Sequence, residues 1–381
     1  MKFTINSKDF KTAVERVSVC LENKSLFVIN RAVNISANAE TGIVTFSVTN
    51  FSQAVNVFVK ANIIESGETL AEYSIFKRML NIPGNVTIRT EGKKIIATNG
   101  KKTGECCAAE WEVDPSYYLV SETTIDSNEI STVDSNEIVD ILCNLSKFTS
   151  TRDTKPVLCG IYIDTLKHNM VANDGYRMVV CSIDKWKIHH ETNIIIPAVV
   201  SVQLKKIVGN NTKINLYADK KYFCITADDF TFRTRLIDGE YIDYIRCLPT
   251  SSPKITNKMC IDDVIATLKE YKELCKKKIP MGLYFKEDKM YTSVFTKDYS
   301  TVDTIELTDY VEPTEEMVIG IYPEYLIDSL QLFKSEKLDP VCCYYTPLSA
   351  IKFIDGRYTM IVMPVRLENT SYIDKVKKLI A

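Results

Sequence analysis

The chain has 381 residues, of which 45% are hydrophobic and 25% charged, with a formal net charge of −2. That length predicts two or three domains, and the composition supports packed cores and excludes a disordered chain. The near-neutral balance excludes nucleic-acid recognition through bulk charge, although a basic stripe on one face is compatible with it.

The opening "MKFTINSKDF" has no apolar core of signal-peptide length, and no apolar run reaches the ~18 residues of a membrane span, so a cytoplasmic protein is expected. Next comes "SKDFKTAVERVSVCLEN", with Phe10, Val14, Val17 and Leu21 at helical spacing. "GIVTFSVTN" alternates as a strand, and a second amphipathic segment opens near Ser74 in "AEYSIFKRMLNIPGNVTIRT". The order then recurs. "SNEIVDILCNLSKF" places Ile138, Ile141, Leu142 and Leu145 on one helical face, and Asp134 followed by Glu137 reads as its capping pair. "GIYIDTLKHNMVAND" is a strand pair, and "IPAVVSVQLKKIVGNN" predicts a helix opening at Pro197. "CIDDVIATLKEYKELC" spaces Ile261, Val264, Ile265 and Leu268 as a helix, "GLYFKEDKMYTSVFTKD" is again a strand pair, and a further helix opens at Pro323. Proline suits a helix start because the first helical N–H has no partner in any case.

A repeat of about 125 residues follows, each unit holding two helices and roughly eight short strands, an α+β pattern. The expected organisation is three tandem, similarly folded domains at residues 1–122, 129–249 and 250–367, with a C-terminal extension at 368–381. One junction, Leu248–Asn257, is rich in Pro and Ser, and the other carries a tandem duplication, "TIDSNEIS" then "TVDSNEIV", which reads as a linker insertion. In the extension, Tyr372, Val376, Leu379 and Ile380 have rough helical spacing, so a short appended helix and a mobile tail both fit.

Catalytic signatures are absent: there is no glycine-rich nucleotide loop, no Walker loop and no nucleophile elbow. The twelve cysteines form no C-x-x-C pair and sit in apolar runs, as small core residues of a reducing compartment do. His189 and His190 are adjacent and point apart if extended, which disfavours a shared metal. No cofactor is expected, and the chain reads as a binding protein rather than an enzyme. An enzyme that only mimics the repeat would need a cleft of clustered titratable groups.

"KPVLCGIYID", "VANDGYRMVV", "RLIDGEYIDYIRCLP" and "YTMIVMPVRL", together with "MKFTINSKDF", resemble the bacterial DNA polymerase III beta subunit family, the replicative sliding clamps. The resemblance runs in order from Met1 to Leu367. It implies a DNA clamp fold, with helices lining a central hole and sheets outside, in a head-to-tail ring dimer. The ring would encircle double-stranded DNA without reading its sequence and tether the polymerase, conferring processivity with no catalytic residue of its own. The alternative is a divergent or mobile-element clamp paralogue with altered partner specificity.

DNA-facing candidates are Lys11, Arg16 and Lys24; Lys77 and Arg78; Lys147 and Arg152; Lys205 and Lys206; and Lys276, Lys277 and Lys278. The resemblance also implies a pocket for a Gln-Leu-x-Leu-Phe-like peptide of the polymerase III alpha subunit, the clamp loader and other partners. Its implied members are Leu158, Asn173, Gly175, Tyr176, Arg177 and Met178. Ile242, Arg246 and Cys247 join them, with Leu348 and Ala350. The last wall is Ile361, Val362, Met363, Pro364, Val365, Arg366 and Leu367. Asn173, Ile242, Cys247 and Val365 depart from the family's usual Thr, Pro, Val and Met. "SLQLF" (Ser329–Phe333) looks like such a peptide but has core spacing within a helix. For the dimer interface the expectation is Lys101 and Lys102 on one side and Asp298, Asp303 and Glu306 on the other, with Tyr271 and Leu274 as the apolar part.

Overall fold

The computed structural model describes residues 1–110, 129–152, 154–210, 212–274, 279–311, 313, 315–367 and 372–381. Seven α-helices are described: α1 (Ser7–Val17), α2 (Tyr73–Phe76), α3 (Ser135–Ser146), α4 (Val200–Ile207), α5 (Ile261–Leu274), α6 (Pro323–Ser335) and α7 (Tyr372–Ile380). All described strand pairings are antiparallel, and their alternating burial follows the period-two pattern of the sequence. The chain falls into two units, Met1–Cys143 with Lys185–Asp238, and Asn144–Asp184 with Gly239–Ala381.

The first unit holds two sheets. An 8-stranded one runs Glu129–Asp134, Lys213–Ala218, Tyr222–Ala227, Phe230–Arg235, Gln53–Lys60, Ile43–Thr49, Ala32–Asn38, Gly67–Glu72. A 5-stranded one runs Asn62–Glu65, Lys2–Asn6, Asn85–Glu91, Lys94–Thr98, Thr103–Cys107. Helix α1 packs Phe10, Val14 and Val17 against the strands, with Phe10 meeting Phe46 and Phe76 at ring-centroid distances of 5.8 and 5.6 Å. Asn6 caps α1, its side chain accepting from the Lys8 N–H at 2.9 Å.

The second unit continues one sheet in the order Gly160–Asp164, Asn169–Asn173, Arg177–Ser182, Tyr358–Val362, Ile351–Asp355, Val341–Tyr344, Ile255–Met259, Ser300–Val311, Lys289–Phe295, Met281–Lys286, Val318–Ile321. Helices α5 and α6 pack together on it and bury Val264, Leu268, Leu326, Leu330 and Phe333. The "SLQLF" segment is therefore core: Leu330 and Phe333 are fully buried.

Expected starts hold for α1, α3, α5 and α6, and Asp134 does cap α3, accepting from the N–H groups of Asn136 and Glu137 at 2.9 and 3.1 Å. Two details differ. Pro197 ends the strand Asn193–Pro197, and α4 begins at Val200. The helix near Ser74 is a single α-turn that tightens into a 3₁₀ stretch, Lys77–Asn81.

Arg16, expected to face DNA, is instead only 8% exposed. Its guanidinium bonds both carboxylate oxygens of Asp229, at 2.6 and 3.0 Å, and its Nε donates to the Ile207 carbonyl at 2.6 Å. The Phe230 ring lies 5.5 Å away. An apolar setting leaves a cation no choice but its partner. Tyr271, expected at a dimer interface, is also internal: its hydroxyl bonds the Thr292 carbonyl at 2.9 Å and the Asp303 carboxylate. Burial, then the Asp303 carboxylate, pushes its ionisation well above the usual tyrosine range. The side chain of Leu274 lies outside the described residues, as do Lys276, Lys277 and Lys278.

Replacing Arg16 by Met should lower the stability of the first unit by about 2–4 kcal/mol, the lower end applying because Asp229 is partly solvated. Urea unfolding monitored by circular dichroism measures it, and a shift below about 1 kcal/mol would contradict the buried-pair reading.

Candidate functional site

The turn between strands Asn169–Asn173 and Arg177–Ser182 is built from its own side chains. Asp174 Oδ1 accepts from the N–H groups of Tyr176 and Arg177, both at 2.9 Å, and Asn173 Oδ1 accepts from the Gly175 N–H. Gly175 has φ +90, a conformation that a side chain at this position would strain.

The turn aims Arg177 into a slot. Its Nε donates to Asp174 at 2.9 Å, Nη1 to Asp328 of α6 at 2.5 Å, and Nη2 to the Lys147 carbonyl at 3.4 Å. The guanidinium lies 5.0 Å from the Phe148 ring centroid and 5.2 Å from that of Tyr325. Burial opposes its charge, but the Asp328 and Asp174 carboxylates outweigh that and hold its pKa above the ordinary arginine value. Arg177 therefore acts as a fixed post against which aromatic rings are set.

Tyr176, 45% exposed, stacks on Tyr325 at 5.5 Å with an 18° interplanar angle, and Tyr322 meets Tyr325 edge-on at 5.8 Å. The Met363 N–H donates to the Tyr176 carbonyl at 2.8 Å, which ties the end of the strand Tyr358–Val362 to the turn. Around this aromatic wall, Met363 and Leu348 are exposed, and Pro364, Val365 and Leu367 are half-buried. The segment carrying Ile242, Arg246 and Cys247 is anchored from beneath: Tyr241 stacks on Tyr162 at 4.7 Å, and the Tyr244 hydroxyl donates to Asp164 at 3.0 Å. Arg246 and Cys247 are exposed there, Arg246 pairing with Asp243 at 2.9 Å.

Of the residues expected to line a peptide pocket, Tyr176, Met363, Leu348, Val365 and Leu367 present surface, whereas Ile242 is half-buried and Arg246 and Cys247 are exposed on the segment that Tyr241 and Tyr244 anchor. Met178, Ile361 and Val362 are sheet core and can only support the wall; Leu158, Asn173 and Ala350 lie nearly buried beneath it. Tyr322, Tyr325, Asp328 and Phe148 went unread in the sequence. The first three form a half-buried stripe three residues apart from the N-cap of α6 into its second turn, beside the buried Leu326 and Leu330, and that spacing was the available signal.

The extension folds as α7 and returns to the sheet. Tyr372 seats over Gly282, where an added Cβ would come within 2.4 Å of its ring, and its hydroxyl donates to the Ser293 carbonyl at 2.8 Å. Val376 is fully buried, and Lys377 pairs with Glu316 at 2.6 Å. The Lys377 ammonium holds the Glu316 carboxyl below its usual range, so this pair supports docking at neutral pH and is lost as pH falls through the carboxylate range. Between α7 and the wall, Val365 pairs with Gly320, and a cavity of about 380 Å³ is lined by Val318, Pro347, Leu348, Val365, Leu367 and Ile373.

Among the basic candidates, Lys24, Arg78, Lys147, Arg152, Lys205 and Lys206 are exposed. Lys11 is exposed beside Glu15 at 3.8 Å, and Lys77 lies over the Tyr73 ring at 5.9 Å. Lys101 and Lys102 occupy the turn before Thr103–Cys107; Asp303 and Glu306 lie on the strand Ser300–Val311 and Asp298 just before it, all exposed. Among the described residues no group of three or more His, Cys, Asp or Glu side chains is placed to hold a metal, and no helix is long and apolar enough to cross a membrane.

Residues 132–243 match the family model described as DNA polymerase III beta subunit, central domain. The beta sliding clamp of Streptococcus pneumoniae serotype 4 is 22% identical over 356 residues, covering 88% of this chain and 91% of that protein. The beta sliding clamp of Buchnera aphidicola is 24% identical over 358 residues, covering 89% and 92%. The crystal structure of the beta subunit of Streptococcus pyogenes DNA polymerase superposes with a TM-score of 0.87 at 17% identity, covering 96% of this chain and 100% of that one. The DNA polymerase III beta subunit of Thermotoga maritima gives 0.83 at 18%, covering 96% and 99%.

A Val376→Asp substitution should detach α7 and free the wall it flanks. Amide exchange in residues 318–321 and 363–367 is expected to rise at least about tenfold, because a charge at a fully buried site cannot be accommodated. Unchanged exchange would show that the wall is held without α7.

Proposed function

We propose that the chain is a member of the DNA polymerase III beta subunit family, whose central-domain model residues 132–243 match, and that it works as a sliding clamp. Two copies close into a ring around duplex DNA and tether a polymerase to its template, with no catalytic step of their own. The observation that carries this reading is the repeated fold: the last strand of one repeat lies on an earlier repeat's strand twice within the chain, Phe230–Arg235 on Gln53–Lys60 and Tyr358–Val362 on Arg177–Ser182. A chain built from such joints extends naturally into a closed assembly.

Three domains per chain, at residues 1–122, 129–249 and 250–367, fit that use. Holding DNA without reading it needs cations that meet phosphates loosely, and the exposed Lys24, Arg78, Lys147, Arg152, Lys205 and Lys206 suit the task. Retention then comes from topology. After loading on circular primed DNA, the protein should remain bound in high salt and be released when the circle is cut. Salt-induced loss from intact circles equal to that from linear DNA would overturn the reading.

The aromatic wall suits capture of an extended peptide by apolar anchors, with Arg177, Asn173 and the Tyr176 backbone giving it a rigid frame. We assign it to a Gln-Leu-x-Leu-Phe-like motif of the polymerase alpha subunit and the clamp loader. Tyr325→Ala should weaken such a peptide by at least about tenfold, as loss of an aromatic anchor does. Val365 is stiffer than the usual Met, so Val365→Met should change the affinity measurably by calorimetry. Equal affinities would remove Val365 from specificity.

The departures at Asn173, Ile242, Cys247 and Val365 and the docked α7 favour a second reading, a divergent clamp paralogue serving a particular polymerase. Primer extension with the host's replicative polymerase and loader separates the two: stimulation supports the replicative clamp, and its absence the paralogue.

A further inference from the structure

The first joint, where Phe230–Arg235 lies on Gln53–Lys60, repeats the frame of the aromatic wall bond by bond. The Arg235 N–H donates to the Ser52 carbonyl at 2.8 Å, as the Met363 N–H does to that of Tyr176. Asn50 Oδ1 accepts from the Gln53 N–H at 2.8 Å, as Asp174 Oδ1 does from that of Arg177 at 2.9 Å. The side-chain amides of Gln53 and Gln203 of α4 donate to each other at 2.7 Å, in the place of the Arg177–Asp328 pair. Beneath them Gln203 reaches the Val19 carbonyl at 3.4 Å, as Arg177 reaches that of Lys147. In the loops that follow, the Asn30 N–H donates to the Phe27 carbonyl at 3.3 Å and the Leu158 N–H to that of Lys155 at 3.0 Å. In this register Phe51 stands for Gly175 and Phe27 for Lys155. The buried Val200, Leu204 and Ile207 stand for Leu326, Leu330 and Phe333, so Val199 takes the place of Tyr325.

The frame is kept, but its surface is changed. Phe51 holds φ +65, in the left-handed region that Gly175 enters at +90. A bulky residue is strained there and glycine is not, so the fold alone gives no reason for a phenylalanine. Strain kept at an exposed residue points to use rather than packing. The Phe51 ring, 41% exposed, meets that of Phe27 edge-on at 5.9 Å, and Leu26 beside it is 91% exposed. Val199 and Val202 stand exposed on α4, one turn apart. Cations rim this apolar face. Lys24 precedes Leu26 by two residues, and Lys205 and Lys206 follow Val202 by three and four on the same helix; all three are exposed. No residue of α4 is acidic, and the nearby Glu22 carboxylate accepts from the Asn30 side chain at 3.4 Å.

We propose that this face is a second docking site on each chain, for a short protein segment with apolar anchors and acidic flanks. Its anchors cover Phe27, Phe51 and Val199, and its carboxylates meet Lys24, Lys205 and Lys206. The occupant differs from that of the aromatic wall. There the one central cation, Arg177, is already neutralised by Asp174 and Asp328, whereas here a neutral amide pair lies beneath and the cations stand at the rim. The inference extends the peptide-wall reading from the second joint to the first, and the exposed face is present whether or not that reading holds. Sites of different chemistry let one chain hold two partners at once. Single-stranded nucleic acid also uses aromatic rings among cations, but it needs ring faces for stacking. An edge-on pair flanked by Leu26, Val199 and Val202 offers aliphatic contact instead, which favours a protein segment.

The test selects displayed random peptides on the full chain while a Gln-Leu-x-Leu-Phe-like peptide saturates the wall. Peptides with Asp and Glu around leucine or aromatic anchors should be enriched. Synthetic copies should bind Phe27→Ser and Val202→Asp about tenfold or more weakly than the natural chain, read by fluorescence anisotropy. Both positions are exposed, so folding is not at risk. Phe51→Gly gives a readout that a packing role would not: binding should weaken about tenfold while the melting temperature stays within about 2 °C, because relief of strain offsets the lost ring contact. Enrichment of no acidic peptide, or equal binding by the natural chain and the variants, overturns the second site. So does a melting temperature lowered by more than about 5 °C in Phe51→Gly with binding kept. If Phe27→Ser instead abolishes binding of oligo-dT, the face serves nucleic acid and the proposal is overturned. Failure of the Gln-Leu-x-Leu-Phe-like peptide to bind sinks the wall reading alone; the selection is then run without it, and Phe27→Ser still decides this site.

Discussion

An antiparallel sheet cannot end without leaving a row of unpaired N–H and C=O groups, and the whole chain is organised around that constraint. Each repeat finishes on a strand whose outer edge needs a partner, and the sequence supplies one in the hairpin strand of another repeat. Twice this is done in cis, through Phe230–Arg235 and Tyr358–Val362. Helix contacts follow from the pairing, because laying the strands edge to edge brings α1 against α4 and lets Asn144 of α3 reach Glu336 beyond the end of α6. The Arg16–Asp229 pair belongs to this joint: the buried cation is held by a half-exposed carboxylate beside the strand Phe230–Arg235, at the cost of desolvating a cation.

The candidate pocket is a by-product of the second such joint. Where Tyr358–Val362 runs alongside Arg177–Ser182, the chain emerges at Met363 tied to the Tyr176 carbonyl, and Tyr325 of α6, met edge-on by its N-cap Tyr322, stacks on Tyr176. None of these groups is catalytic in arrangement; the raised arginine and tyrosine pKa values reflect burial and ion pairing that stiffen a wall. Docking of α7 over Gly282 adds a further restraint next to the same segment, with Leu367 packed against the Tyr284–Tyr372–Val376 cluster.

Much of this was legible in the sequence because it rests on periodicity. The apolar spacing of α1, α3, α5 and α6, the strand pairs and the Asp134 cap are local signals, and the repeat made each one confirm the others. Signals that depend on a distant partner were not legible. Arg16 reads as a surface cation on a mixed helix face until Asp229, far along the chain, is seen beside it. Tyr271 occupies a core position of α5, yet its polar end made an interface equally reasonable until Asp303 and Thr292 were placed around it. Tyr322 and Tyr325 escaped notice because a helix start rich in aromatic residues looks the same whether it is packed or presented.

The central claim is that one joint, used repeatedly, closes the chain on a copy of itself. Electron-microscopy class averages of the purified protein test this most directly. The account predicts a closed two-chain ring with a central opening and three lobes from each chain. Solid particles without an opening, or open filaments in which the joint propagates without closing, would contradict it.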